Sequence, residues 1–180
     1  LKTETCYLGL GSNIGDRLKN LQNAVKLLEK NDLAPTCFSA IYETSYVGKH
    51  SPQPNYLNAA IGINCVPGEC SGRLQPTKIV DCCLKIENEL GRKKVNREDP
   101  RIIDIDLLLC GKIINKVEKA IVPHPRMHER LFVLTPLKEI AGNKINPVLN
   151  KTIEELYYDC LNKSEEKVKL FAPAYTLQNY

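Results

Sequence analysis

Tryptophan is absent from the 180 residues, methionine occurs once, and aromatic side chains make up only 6 %. A surface that grips nucleic acid by stacking bases on exposed rings needs more of them, so that class of partner is disfavoured. A strong charge of one sign is missing too: 25 Lys and Arg against 21 Asp and Glu leave +4, and the basic residues are dispersed apart from 92–101 and isolated lysines near the end. That distribution suits a local anion site better than a nucleic-acid surface. No apolar run approaches the length of a bilayer span, and no membrane partner is expected. Metal-ligand spacing is also lacking among the eight cysteines. Most, including Cys6, Cys65, Cys82, Cys83 and Cys110, sit inside apolar runs and read as buried free thiols of an intracellular, reducing compartment. The cytoplasm is the first choice and a mitochondrion the second. No signal peptide opens the chain, which starts at Leu1, so an excised domain is one reading of its ends. The length predicts one domain over 1–180.

What is present centres on residues 97–110, REDPRIIDIDLLLC. Two carboxylates, Asp104 and Asp106, interrupt an aliphatic run with strand character. In an extended chain the side-chain period is two, so both acids share one face, roughly 7 Å apart, while Ile103, Ile105, Leu107 and Leu109 take the other. Unpaired acids on a half-buried sheet face shift their pKa upward or destabilise the strand. Divalent cations hold them ionised, and so do guanidinium partners, for which Arg97 and Arg101 are at hand. Carboxylates and arginines crowded together suit a metal-bound polyanion, of which a magnesium nucleotide is the commonest.

Before this stretch, 4–10 reads as a strand running into Gly11, Ser12 and Asn13. A helix capped by Asp16 or Asn13 follows, with Leu18, Leu21, Ala24, Val25, Leu27 and Leu28 at helical period. The glycine turn lacks the Lys-Ser/Thr of a P-loop. Strands are expected over 36–44 and 56–66, joined by a polar, proline-punctuated loop over 45–55 of the kind that often carries function. Tyr56 and Asn58, at i and i+2, project from one face. A ring beside an amide suits a flat heterocycle, although an ordinary half-buried Tyr and an edge Asn fit the same spacing. A helix is expected over 77–90, with Ile79, Val80, Cys83, Ile86 and Leu90 inward, Glu87 outward and Gly91 beyond its end. Further on, a short strand pair is expected around Ile113 and 120–122, then a helix from Phe132 to Ala141 and another over 147–160. The tail from Lys163 resists assignment. The order strand, helix, strand, strand, helix, strand predicts an α+β, ferredoxin-like fold. It has a four-stranded antiparallel core sheet with helices on one face and C-terminal helices added, its first and last core strands adjacent at the centre. Gly11 to Asn13 would then approach Asp104 and Asp106.

Taken together, LGLGSNIGDR, QPNYLNAA, IENELGR, REDPRIIDIDLLL and VPHPRMHERLFVLTPL resemble the 6-hydroxymethyl-7,8-dihydropterin pyrophosphokinases of folate biosynthesis, in order from residue 6 to about 140. The resemblance implies transfer of pyrophosphate from ATP to the pterin hydroxymethyl group, with two Mg²⁺ ions held by Asp104 and Asp106. It implies ATP contacts at Glu87, Arg92, Lys94, Arg101, Leu107, Lys119, His124 and Arg130, with Arg92 and Arg101 also catalytic. It implies a pterin sandwiched by Tyr56 and Phe132, its edge read by Thr44, Val47 and Asn58. In some eukaryotes such a domain precedes dihydropteroate synthase in one chain, so a fused or adjacent synthase is the implied partner.

The chain departs from the family pattern at Glu98 and Asp99, where Trp and Gly are usual, at Lys94 for Arg, at Leu84 for Gln, and at Ser45 and Tyr46 for two prolines. A lid that closes through Trp would close differently here, and Lys94 keeps charge but loses the guanidinium fork. A ferredoxin-like nucleic-acid-binding module using 92–101 is the alternative from another class, and a metal-dependent phosphohydrolase is a third.

Overall fold

Nine residues, Glu4–Ser12, extend as β1, and the sheet is registered on them in a computed structural model that describes residues 4–45, 53–65, 75–92 and 99–178. Strand β4 (Tyr56–Cys65) runs antiparallel to β1 on one side, and β5 (Asp104–Cys110) does so on the other. Beyond β4 lie β2 (Pro35–Phe38) and β3 (Ile41–Thr44), and a tail strand β8 (Val168–Ala172) pairs with β3. The path is β5-β1-β4-β3-β8, with β2 also on β4, which makes six strands among the described residues.

Helix α1 (Arg17–Lys30) begins where the Asp16 carboxylate accepts from the Lys19 amide, and it buries Leu21, Ala24, Val25 and Leu28. Pro76 suits the first turn of α2 (Pro76–Glu89), since its missing N–H had no helical partner there. Both helices pack on the face formed by Leu8, Leu10, Leu57, Ile61, Ile63, Ile103, Ile105 and Leu107. The opposite face carries α3 (Leu131–Ala141) and α4 (Ile153–Leu161), over Tyr7, Ala60, Leu108 and Leu109. A capping box between Thr152 and Glu155 starts α4, just after a two-strand ribbon of β6 (Ile145–Asn146) and β7 (Lys151–Thr152).

Several expectations need correction. The sheet has six strands where four were expected. Helices α1 and α2 share one face, and the C-terminal helices α3 and α4, for which no face was expected, cover the other because both faces of the central strands are apolar. Strands β1 and β5 are neighbours as expected, but β5 lies at one end of the path and not at the centre. The stretch 36–44 breaks at Ser39, whose hydroxyl accepts from the Ala60 amide and donates to the Ala40 carbonyl; a side chain that satisfies backbone groups locally interrupts the ladder. The strand pair near 113 shrinks to one bridge between Asn115 and Val122, with a 3₁₀ turn over Glu118–Ala120. The helix expected from 147 starts at Ile153, since the ribbon takes the preceding residues.

Cys6 and Cys110, read as free thiols, stand opposite each other across β1 and β5 and are joined as a disulfide. Strand register brings them together over a separation of 104 residues, which spacing alone does not reveal. Cys83 is buried and free, Cys82 is half-buried and free, and the Cys65 side chain lies outside the described residues. No helix among the described residues is long and apolar enough to cross a membrane.

Candidate active site

Period two in β5 puts Ile103, Ile105 and Leu107 into the core under α1 and α2, and turns Asp104 and Asp106 to the other face, as expected. Opposite them β1 offers two residues without side chains: Gly11 pairs with Asp104 and Gly9 with Asp106. Gly11 also pairs with Asn58 on β4, so one backbone position separates the acid strand from the amide. A Cβ built there would stand 3.2 Å from Asn58 Oδ1, 3.8 Å from Tyr56 Cδ1 and 4.0 Å from Asp104 Cβ. Gly11 thus makes a flat floor between Asp104 and the Tyr56–Asn58 wall, while Gly9 lies against the Leu108 side chain.

Asp104 is held from two sides. Arg101 Nη1 donates to its Oδ2 at 2.7 Å, and Arg92 Nη1 lies 2.9 Å from its Oδ1. The salt-bridge reading of the sequence therefore holds for Asp104, with Arg92 joining Arg101; Arg97 lies outside the described residues. Asp106 differs: among the described residues its ion-pair partner is Arg130, 4.0 Å away. Burial first, and then the Asp104 charge, push its carboxyl up to about 7. The side chain is nevertheless 41 % exposed, so water screens part of that effect. Among the described residues, one acid is neutralised and its neighbour is short of positive charge.

Glu87, expected outward, is buried. Its position, eight residues after Ile79 and four after Cys83, lies on the inward stripe of α2. The carboxylate accepts from the Ile105 amide at 2.7 Å and pairs with Arg92, while burial pushes its pKa up. It acts as a bracket that aims Arg92 at Asp104. Glu87→Ala is expected to lower stability by about 2 kcal/mol, since a buried amide and a guanidinium lose their acceptor. A thermal melt unchanged from the parent would refute that role.

Asn13 fixes where β5 begins. Its Oδ1 accepts from the Arg101 amide at 2.7 Å, its own amide donates to the Arg101 carbonyl at 3.1 Å, and its Nδ2 donates to Gln53 at 3.1 Å. Tyr56 is half-buried and Asn58 buried, the latter donating from Nδ2 to Thr44 Oγ1 at 2.8 Å. On the far side Arg130 sits between Asp106 and Phe132, its guanidinium 5.7 Å from the ring centre. The Phe132 amide donates to Glu166 Oε2 at 3.0 Å. Sequence reasoning had no means of finding Glu166, because it lies 34 residues away in the unassigned tail.

His124 is anchored by its amide on the Leu108 carbonyl at 2.8 Å. Burial first and then Arg130 lower its pKa to about 4, so near neutrality the ring is uncharged; its Nδ1 accepts from the Arg126 amide at 3.2 Å, which leaves Nε2 as a donor. Lys119 is exposed and paired with Asp81 on α2. Leu107 is buried, its side chain on the opposite face from the two acids. Val47 and Lys94 lie outside the described residues, as do Tyr46 and Glu98.

Among the described residues no group of three or more His, Cys, Asp or Glu side chains is arranged to hold a metal. Two carboxylates on one face fit a hard cation that takes its remaining oxygen ligands from water and a substrate, which is how Mg²⁺ is usually bound with phosphates.

Residues 7–142 match the 7,8-dihydro-6-hydroxymethylpterin-pyrophosphokinase (HPPK) family. The chain belongs to that family. Among HPPK relatives, the Bacillus subtilis (strain 168) 2-amino-4-hydroxy-6-hydroxymethyldihydropteridine pyrophosphokinase is 45 % identical over 136 residues, covering 75 % of this chain and 77 % of that protein. The Aquifex aeolicus protein of the same description is 36 % identical over 84 % of this chain and 89 % of its own. The mitochondrial folate synthesis bifunctional protein of Arabidopsis thaliana is 36 % identical over 77 % of this chain, which spans only 24 % of that relative. The HPPK likeness extends to structure: a Plasmodium falciparum HPPK-DHPS crystal structure superposes with a TM-score of 0.64 at 16 % identity, covering 90 % of this chain and 46 % of that one.

Proposed function

We propose that this HPPK-family chain, as one domain over 1–180, transfers the pyrophosphoryl group of ATP to the hydroxymethyl oxygen of 6-hydroxymethyl-7,8-dihydropterin and releases AMP. The observation that carries the reading is the position of Gly11, which pairs with Asn58 on one side and Asp104 on the other. A flat heterocycle seated by Tyr56, Phe132, Asn58 and Thr44 would then lie next to the acid pair. Val47, outside the described residues, is assigned to the same pocket by motif.

In this reading the pterin hydroxyl oxygen attacks the β phosphorus, the bond from that phosphorus to the bridging oxygen of AMP breaks, and the hydroxyl proton is released. Such transfers ask the protein for alignment and neutralisation of charge. Asp104 and Asp106 would hold two Mg²⁺ ions, which when bound supply positive charge to the phosphate oxygens. Arg92 and Arg101 stand at Asp104, ready to neutralise charge on the transferred group. Glu87, Lys94, Leu107, Lys119, His124 and Arg130 are assigned to ATP by motif. Of these, Glu87 and Arg130 feel the charge of both acids and His124 that of Asp104.

The same reading takes β1, the β2–β3 pair, β4 and β5, with α1 and α2, as a ferredoxin-like core to which β8 is appended. Dihydropteroate synthase, fused or adjacent, is the proposed partner, in an intracellular compartment. The match to the HPPK family gives the nucleic-acid-binding alternative no support. Incubation with ATP, Mg²⁺ and hydroxymethyl-dihydropterin tests the activity. AMP that forms only when the pterin is present is the expected result, and ADP or phosphate without pterin would favour hydrolysis instead.

A further inference from the structure

The tail that follows α4 runs past residue 142, where the family match ends, and it touches both walls of the cleft. On one wall β8 pairs with β3, with Val168 opposite Thr44, whose hydroxyl accepts from Asn58. On the other wall Glu166, two residues earlier, accepts the Phe132 amide at 3.0 Å. This second contact answers a local deficit. Helix α3 begins at Leu131 with Arg130 as its N-cap and no side-chain cap, so its first amides lack an internal acceptor. Burial pushes the Glu166 pKa up, while the Phe132 and Leu131 amides and then the Arg130 charge pull the other way, and the Glu166 amide is itself held by Ser164 Oγ at 3.1 Å. A carboxylate at that end also matches the helix dipole.

We propose that residues 164–172 form a strap joining the two walls of the pterin pocket, with Glu166 as the positioning residue that sets Phe132 against Thr44 and Asn58. The proposal rests on the reading of Phe132, Thr44 and Asn58 as pterin contacts, and its test separates the two.

The experiment measures AMP release by the full chain while pterin and ATP are varied in turn. Glu166→Ala is expected to raise the KM for pterin about fivefold and to leave the KM for ATP within about twofold, the scale of one charge-assisted contact at a helix end. Glu166→Gln keeps an acceptor oxygen without the charge and is expected to recover much of that loss. Glu165→Ala, at an exposed neighbour, is expected to match the parent. If Glu166→Ala does not fold, Glu166→Gln is read in its place, with a rise of about twofold in pterin KM expected. A lowered melting temperature with unchanged pterin KM, or an equal rise in both KM values, overturns the strap. Phe132→Ala is run alongside. Raised pterin KM there with none in the Glu166 variants defeats the strap alone, whereas no change in Phe132→Ala defeats the pocket assignment and the strap with it.

Discussion

Asp106→Asn is expected to abolish Mg²⁺-dependent AMP release while making the metal-free protein more stable. The two effects share one cause. Burial and the Asp104 charge raise the Asp106 carboxyl to about 7, against 3.8 for the free group. A folded-state pKa above the unfolded one means that stability contributed by the protonated acid is fully present below about pH 4 and is lost as the pH rises through about 7. At pH 8 the wild type therefore carries an unfavourable charge that asparagine does not. After allowance for screening at a side chain that is 41 % exposed, the gain is about 1 kcal/mol, or a few degrees in Tm, and it should vanish at pH 4. Turnover should fall about 10³-fold, because an amide cannot supply the anionic oxygen a hard cation needs. Asp104→Ala should lose activity equally but lose stability as well, since Arg92 and Arg101 are left facing each other without their acid. Near-normal turnover in either variant would end the claim that this pair holds the metal.

The acid pair was legible because period two and aliphatic neighbours leave no other placement for Asp104 and Asp106. Four residues later the same rule fails. A register shift between Tyr7 and Leu8 admits one extra residue in β5, so Leu108 and Leu109 both pack on the α3 side while Leu107 and Cys110 face α1 and α2. Nothing in DIDLLLC marks that bulge. Glu87 was within reach of sequence reasoning, since its helical position is inward. The expectation that a lone carboxylate faces water outweighed the wheel, and its partners, the Ile105 amide and Arg92, lie in other segments. The Ser39 break, the Cys6–Cys110 pairing and the Glu166 contact all depend on which strands become neighbours, which no local pattern states. Assignments to ATP and pterin came from the ordered motifs as a set, and no single spacing carries them.

Gly11→Val is the sharpest test of the floor. Gly11 needs no unusual backbone angle, being an interior residue of β1, so conformational freedom is not why glycine stands there. Space is the reason. Even a single Cβ would approach Asn58 Oδ1 to 3.2 Å, and Asn58 cannot swing aside without giving up its hydrogen bond to Thr44. The two methyl groups of valine would stand on the floor itself, between Tyr56 and Asp104. Overpacking of this kind costs about 1–3 kcal/mol, and a heterocycle displaced by about 1 Å loses roughly 10²-fold in rate. Turnover with pterin is therefore expected to fall at least about 10²-fold, and Gly11→Ala about tenfold, with ATP affinity changed much less because Asp106, Arg130 and His124 lie farther along the cleft. Gly9→Ala serves as the comparison: its Cβ would meet Leu108 Cδ1 at 3.3 Å, the mobile end of a leucine that can turn away, so stability should drop slightly and pterin turnover hardly at all. Equal losses in Gly11→Ala and Gly9→Ala would mean that both glycines serve strand packing only, and would remove Gly11 as the link between the heterocycle and the acids.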